Sequence, residues 1–288
     1  MKPAPFDYVP ARSAAEAVEA LARHGGEAKV LAGGQSLVPM LNMRLARPAV
    51  LVDINGAGEL DYLREADGAL AVGALVRQRM FERWTAARLP LIAEALRWVG
   101  HAAIRNRGTV AGSVAHADPA SELPALLLCC GGTVVARRVG GERVIPAAEL
   151  YLGPLTTSLG PDEIVTEVRF PLPRPEAGWG FAEVARRHGD FALVGAAALL
   201  WCAEGRVAGA RLAFFGVGGT PVRGAAGEAL LSGQEPTAAR LREAARTAAA
   251  ALSPDADLHA TAQYRRRVAE VLAERTLTVA LARCGGNA

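Results

Sequence analysis

The chain has 288 residues, 51% of them hydrophobic, and a formal net charge of +3. That length supports two modest domains around a large buried core. A charge so small, carried by scattered arginines, argues against a nucleic-acid groove.

In chain order, Ser13-Ala14-Ala15-Glu16 has the pattern of a capping box, and Ala17, Val18, Leu21 and Ala22 recur at helical spacing until Gly25-Gly26. A strand over 29–32 runs into the glycine loop Ala32-Gly33-Gly34-Gln35-Ser36. Ser36 is placed to N-cap a helix whose buried stripe is Leu37, Met40, Leu41 and Leu45, and Arg47-Pro48 ends it. A strand over 50–54 completes a strand–loop–helix–strand unit, and 69–76 reads as another strand. A helix over about 90–99 leads into Ile104-Arg105-Asn106-Arg107-Gly108 and a second small-residue loop, Thr109-Val110-Ala111-Gly112-Ser113. Ser121-Glu122-Leu123-Pro124 starts an apolar helix broken at Gly131-Gly132, and 133–139 is a strand. Residues 171–180, rich in Pro and Gly, read as a linker. Strands near 181–187, 192–203 and 207–217 follow, then helices over about 238–252 and 262–283. The order is α+β in both halves, without the regular alternation of a doubly wound sheet.

Cys129, Cys130, Cys202 and Cys284 lack C-x-x-C spacing. They read as reduced thiols, not as a disulfide framework, an iron–sulfur cluster or a zinc site. The start of the chain shows no secretory pattern, and the longest apolar run, 192–203, is too short for a membrane span. Both features predict a cytoplasmic location.

The two glycine-bearing loops carry the functional reading. Without a Cβ, backbone N–H groups can approach phosphate oxygens closely. Neither loop fits G-x-G-x-x-G or a P-loop, which disfavours a Rossmann NAD domain and an NTPase. Two such loops can grip the two ends of one pyrophosphate, so the pair predicts a dinucleotide cofactor. A hydrolytic triad of Ser113, His116 and Asp118 is disfavoured, because three members within six residues rarely reach the required geometry. His116 reads as a structural hydrogen-bonding residue, Asp118-Pro119 as a turn, and Glu122 as a carboxylate for cofactor hydroxyls. Arg186-Arg187-His188-Gly189-Asp190-Phe191 is either a solvated hairpin edge or a loop laid over a flat ring system.

These motifs, with Gly216-Val217-Gly218-Gly219-Thr220-Pro221-Val222-Arg223 and the stretch from Ala256-Asp257-Leu258-His259-Ala260 through Tyr264-Arg265-Arg266, give the whole chain a resemblance to a known family. It resembles the FAD-binding medium subunit of the molybdenum hydroxylases, the xanthine dehydrogenase and carbon monoxide dehydrogenase group. The resemblance implies a PCMH-type (vanillyl-oxidase-like) FAD-binding domain over 1–172, in subdomains of about 1–56 and 57–172. A small α/β CO-dehydrogenase-flavoprotein C-terminal domain would occupy 173–288. By the same resemblance Ala32, Gly33, Gly34, Gln35 and Ser36, with Thr109, Val110, Ala111, Gly112 and Ser113, hold the FAD pyrophosphate. Glu122 falls where the family places a carboxylate on the cofactor, Phe191 where it places an aromatic against the isoalloxazine, and Asp190 lies beside it.

FAD would be noncovalent. Molybdopterin would sit on a large partner subunit and 2Fe-2S clusters on a small one, in a dimer of heterotrimers. Electrons would pass from the clusters through FAD to an external acceptor. The alternatives are a free-standing FAD-dependent oxidase of the same fold, or a cofactor-binding module without turnover. Three positions depart from many relatives: Gln35 stands for histidine, Ala111 adds a methyl expected near the phosphates, and Glu183 replaces lysine, reversing the charge expected near the flavin.

Overall fold

The computed structural model describes residues 1–285. Its first unit is a three-stranded parallel sheet with Val50–Asp53 between Asp7–Pro10 and Ala28–Leu31. Parallel neighbours need a crossover, and the segment with the first glycine loop supplies it. Helix Ala14–His24 packs on this sheet. Ser13 caps it, its Oγ accepting from the Glu16 N–H at 3.1 Å. The Glu16 carboxylate reaches one residue further back than a capping box requires, accepting from the Arg12 N–H at 2.7 Å.

The second unit is a five-stranded antiparallel sheet in the order Leu63–Ala66, Ala69–Gly73, Ile164–Pro171, Thr133–Arg138, Gly141–Pro146. The third is an antiparallel sheet of Gly178–Ala185, Ala192–Ala203, Arg206–Phe215 and Val222–Arg223, covered on one face by helices Ala225–Leu231, Ala238–Ala250 and Ala262–Ala282. Its other face lies on helix Glu122–Cys130, with Phe181, Ala197, Leu199, Ala213 and Phe215 joining the core of the first two units. Val194, Ala196, Ala198 and Leu200 point the opposite way, into the core under the last helices. Ala192–Ala203 therefore reads as one apolar run because both its faces are buried. No helix among the described residues is long and apolar enough to cross a membrane.

Several sequence expectations need correction. The helix after the first glycine loop spans only Leu37–Asn42, and Ser36 makes no side-chain cap bond. Leu45 lies beyond its end and is 70% exposed, so of the expected stripe only Leu41 is fully buried. Ser121 sits at the N-cap of its helix but likewise makes no side-chain bond. Gly178 and Gly180 belong to a strand, not a linker. A Cβ on either would collide with the last helix, at the carbonyls of Ala280 and Thr276 respectively. These glycines exist for close packing, while 172–177 alone connects the strands.

Candidate cofactor site

The two glycine-bearing segments meet in space. Gly33 is buried, and a Cβ there would overlap the Arg107 carbonyl and lie 2.8 Å from Gly108 Cα and 3.0 Å from the Thr109 nitrogen. Gly34 takes a left-handed φ of +73°, which glycine adopts at no steric cost. Among the described residues, the N–H groups of Gly33, Gly34, Gln35 and Ser36 have no protein acceptor. Gln35 does not reach outward: its Nε2 donates to the Gly33 carbonyl at 3.1 Å.

The second segment is not a free loop. Thr109 caps helix Val110–His116, its Oγ1 accepting from the Gly112 N–H at 3.0 Å. The segment also pairs with 76–78: the Val110 N–H donates to Val76 O, and the Gln78 N–H to Gly108 O. Val110 thus has no free N–H, and both Val110 and Ala111 turn their side chains into the core. The Ala111 methyl consequently stays out of the cradle, against expectation. The Thr109 and Ala111 N–H groups have no protein acceptor among the described residues, although both residues are buried. Buried N–H groups rarely stay unpaired. A cradle of this kind, too tight for a side chain at Gly33, fits a pyrophosphate.

A clasp missed in the sequence holds the two segments at this spacing. Asn55 Nδ2 donates to Ala32 O at 2.9 Å, and Asn55 Oδ1 accepts from Arg77 Nη2 at 2.8 Å. Arg77 Nη1 donates to Arg107 O at 2.7 Å. Asp53 anchors Asn55, accepting from its N–H and its Nδ2, and also accepts from the Tyr8 hydroxyl. A lysine cannot fork to two acceptors as a guanidinium does. Arg77→Lys is therefore expected to weaken FAD binding about tenfold or more, the equivalent of one lost charge-assisted hydrogen bond. Quenching of flavin fluorescence on titration checks this, and unchanged affinity would remove the clasp from the site.

The polar density before Thr109 is partly structural. Arg105 is 8% exposed; it pairs with Glu82 at 3.2 Å and donates to the Val99 and Gly100 carbonyls. Asp118 fixes a turn as expected, its Oδ1 accepting from the Ala120 N–H at 2.9 Å. His116 makes no side-chain hydrogen bond among the described residues, and burial lowers its pKa.

Beyond that turn lies a cavity of about 560 Å³, lined by Pro119 and Ala120 on one side and by Asp190, Phe191 and Gly216 on the other. Phe191 is 60% exposed at its mouth. The hairpin tip rests on the first half of the chain: a Cβ on Gly189 would come within 2.7 Å of the His101 ring, and His188 lies 5.5 Å from Trp98. Arg186, Arg187, His188, Asp190 and Phe191 are nonetheless exposed, so the tip is a solvated edge seated on that half, and Arg187 pairs with Asp190 at 3.6 Å. Glu122 is buried in the first turn of its helix. Burial, and then the charge of Asp118, push its carboxyl up to about 7, against a hydrogen bond from its own backbone. Glu183 is 8% exposed and both its oxygens lack partners; burial and then Glu122 push it up to about 8. Burial thus opposes the negative charge that a glutamate in place of lysine brings to this position.

Residues 4–173 match the FAD binding domain in molybdopterin dehydrogenase, and residues 179–280 match the CO dehydrogenase flavoprotein C-terminal domain. The chain belongs to the FAD-binding medium subunits of the molybdenum hydroxylases. It is 42% identical to the 6-hydroxypseudooxynicotine dehydrogenase complex subunit alpha of Paenarthrobacter nicotinovorans, over 98% of this chain and 97% of that one. To the carbon monoxide dehydrogenase medium chain of Hydrogenophaga pseudoflava it is 35% identical, over 99% and 100%. The solved structure of that organism's carbon monoxide dehydrogenase, lacking the Mo-pyranopterin moiety, superposes with a TM-score of 0.96 at 36% identity, covering 99% of this chain and 100% of that one. The medium-subunit fold thus extends along both halves of the chain.

Proposed function

We propose that this FAD subunit holds its cofactor noncovalently. The pyrophosphate would lie on the free N–H groups of Gly33, Gly34, Gln35, Ser36, Thr109 and Ala111, beside Gly112 and Ser113. The flavin end would enter the cavity at Phe191 and Asp190, with Glu122 accepting hydroxyls. We infer the domain division of 1–172 and 173–288, a dimer of heterotrimers with a large molybdopterin subunit and a small 2Fe-2S subunit, and a cytoplasmic location. Bound FAD supplies a redox centre able to take electrons from one-electron clusters and pass them to an external acceptor. The chain's own residues orient and shield that centre.

The observation that carries this reading is the set of unpaired N–H groups around a Gly33 that has no room for a side chain. Among the described residues no group of three or more His, Cys, Asp or Glu side chains could hold a metal ion. Noncovalent attachment fits a cavity whose one histidine, His259, already accepts from Arg186 at 3.2 Å.

The test uses the chain expressed alone and loaded with FAD. Dithionite should bleach the flavin, candidate heterocycles, aldehydes and carbon monoxide should not, and denaturation in urea should release all the yellow colour. Bleaching by one of these substrates without molybdenum or iron would favour the free-standing oxidase. Flavin retained on the denatured chain would exclude noncovalent binding.

A further inference from the structure

Cys202 and Cys284 are free, partly buried, and packed against the same core at one end of the third sheet. Three contacts pin Cys284 there, just past the end of helix Ala262–Ala282. Arg283 Nη1 donates to Trp179 O at 3.1 Å, with the guanidinium 3.6 Å from the indole centroid. The Gly285 N–H donates to Glu176 O at 3.0 Å. Between them, the Cys284 nitrogen lies 2.6 Å from where a Gly178 Cβ would be.

Gly178 pairs with Leu200 on the neighbouring strand. Cys202 is two residues further on, past the end of that pairing, and packs against the core that Leu200 joins. The helix end and the strand end therefore bring the two cysteines to one corner of that core, where the Cys284 thiol helps raise the pKa of Cys202. The other pair is sequestered: Cys129 and Cys130 are adjacent on a fully buried helix, and the Cys129 thiol donates to Ala197 O at 3.5 Å.

We propose that Cys202 and Cys284 form a dithiol that hydrogen peroxide converts into an intramolecular disulfide, fastening the C-terminal end of the last helix to the sheet. In the first step one sulfur attacks peroxide; its S–H and the O–O bond break, a sulfenic acid forms, and water leaves. In the second, the other sulfur attacks the sulfenyl sulfur; the S–S bond forms, the S–O bond breaks, and a second water leaves. Overall, two thiols and one peroxide give one disulfide and two waters. Proximity, not thiol acidity, selects the pair, because burial and then the neighbouring Cys284 thiol push Cys202 up to about 11. A link closing so long a loop restricts the unfolded chain strongly.

The test takes the full chain, purified reduced, treats it with peroxide, and alkylates it in denaturant. Two of its four thiols should become unreactive and return with dithiothreitol. A non-reduced peptide map should join the Cys202 and Cys284 peptides, and oxidation should raise Tm by roughly 5 °C or more. C202S and C284S should each lose both the joined peptide and the Tm rise. Four reactive thiols after treatment, a link between other cysteines or between chains, or oxygen added to either cysteine without a cross-link would each overturn the proposal. The wild-type peptide map alone decides it if either variant fails to fold.

Discussion

Gly33→Val is expected to purify folded and colourless, with loss of essentially all bound flavin. The atoms that a Cβ at Gly33 would meet are the Arg107 carbonyl, Gly108 Cα and the Thr109 nitrogen. All are backbone, so no rotamer change relieves the overlap, and the two halves of the cradle must move apart. That movement strains the clasp, since Asn55 holds Ala32 O and Arg77 holds Arg107 O. It also separates N–H groups that must reach one pyrophosphate together. Gly112→Val should act similarly for a different reason: its Cβ would lie 2.6 Å from Thr109 Oγ1, the atom that caps the helix. Gly34→Val adds the strain of a branched residue at φ +73°. Gln35→Ala is the control, because its amide only folds back on Gly33 O. The ratio of flavin absorbance to protein absorbance, alongside far-ultraviolet circular dichroism, reads the result. Stoichiometric flavin in folded Gly33→Val would show that the loops do not hold the cofactor.

The cradle was legible because runs of small residues announce close backbone approach. Its clasp was not. Asn55 follows a strand and Arg77 precedes a helix, and nothing local marks either as a partner of Ala32 or Arg107, 23 and 30 residues away. Composition also misassigned Gly178 and Gly180, since a glycine needed for a turn and one needed to admit a helix look alike in sequence. The Leu37 to Leu45 stripe failed because periodicity cannot show where a short helix stops, and Arg44 at φ +59° ends this one. The ionisation of Glu183 was not legible for a separate reason. A sequence gives the formal charge of a residue, while burial opposite a second carboxyl decides whether that charge exists.

Glu183 lies on the strand face carrying Phe181, which joins the first core, and the charged group raising its pKa is Glu122. Its folded pKa of about 8 is above the ordinary glutamate value of 4.5. Between those values the folded chain binds more protons than the unfolded one, so stability must fall as pH rises. Below about pH 4.5 its titration opposes nothing; above pH 8 its ionisation opposes folding by on the order of 5 kcal/mol, taking 1.36 kcal/mol per unit. Glu122, pushed up to about 7, acts in the same direction. Glu183→Gln keeps the shape and removes the titration. Denaturant midpoints of the purified chain at pH 6 and pH 9 should therefore fall steeply for the natural sequence and much less for Glu183→Gln, which should be the more stable of the two at pH 9. Glu183→Lys should be destabilised less than a buried lone ammonium would be, because ionised Glu122 supplies a counter-charge. Equal pH dependence in the natural chain and Glu183→Gln would mean that Glu183 stays charged when folded, and the sheet face would then have to supply a donor for its carboxylate.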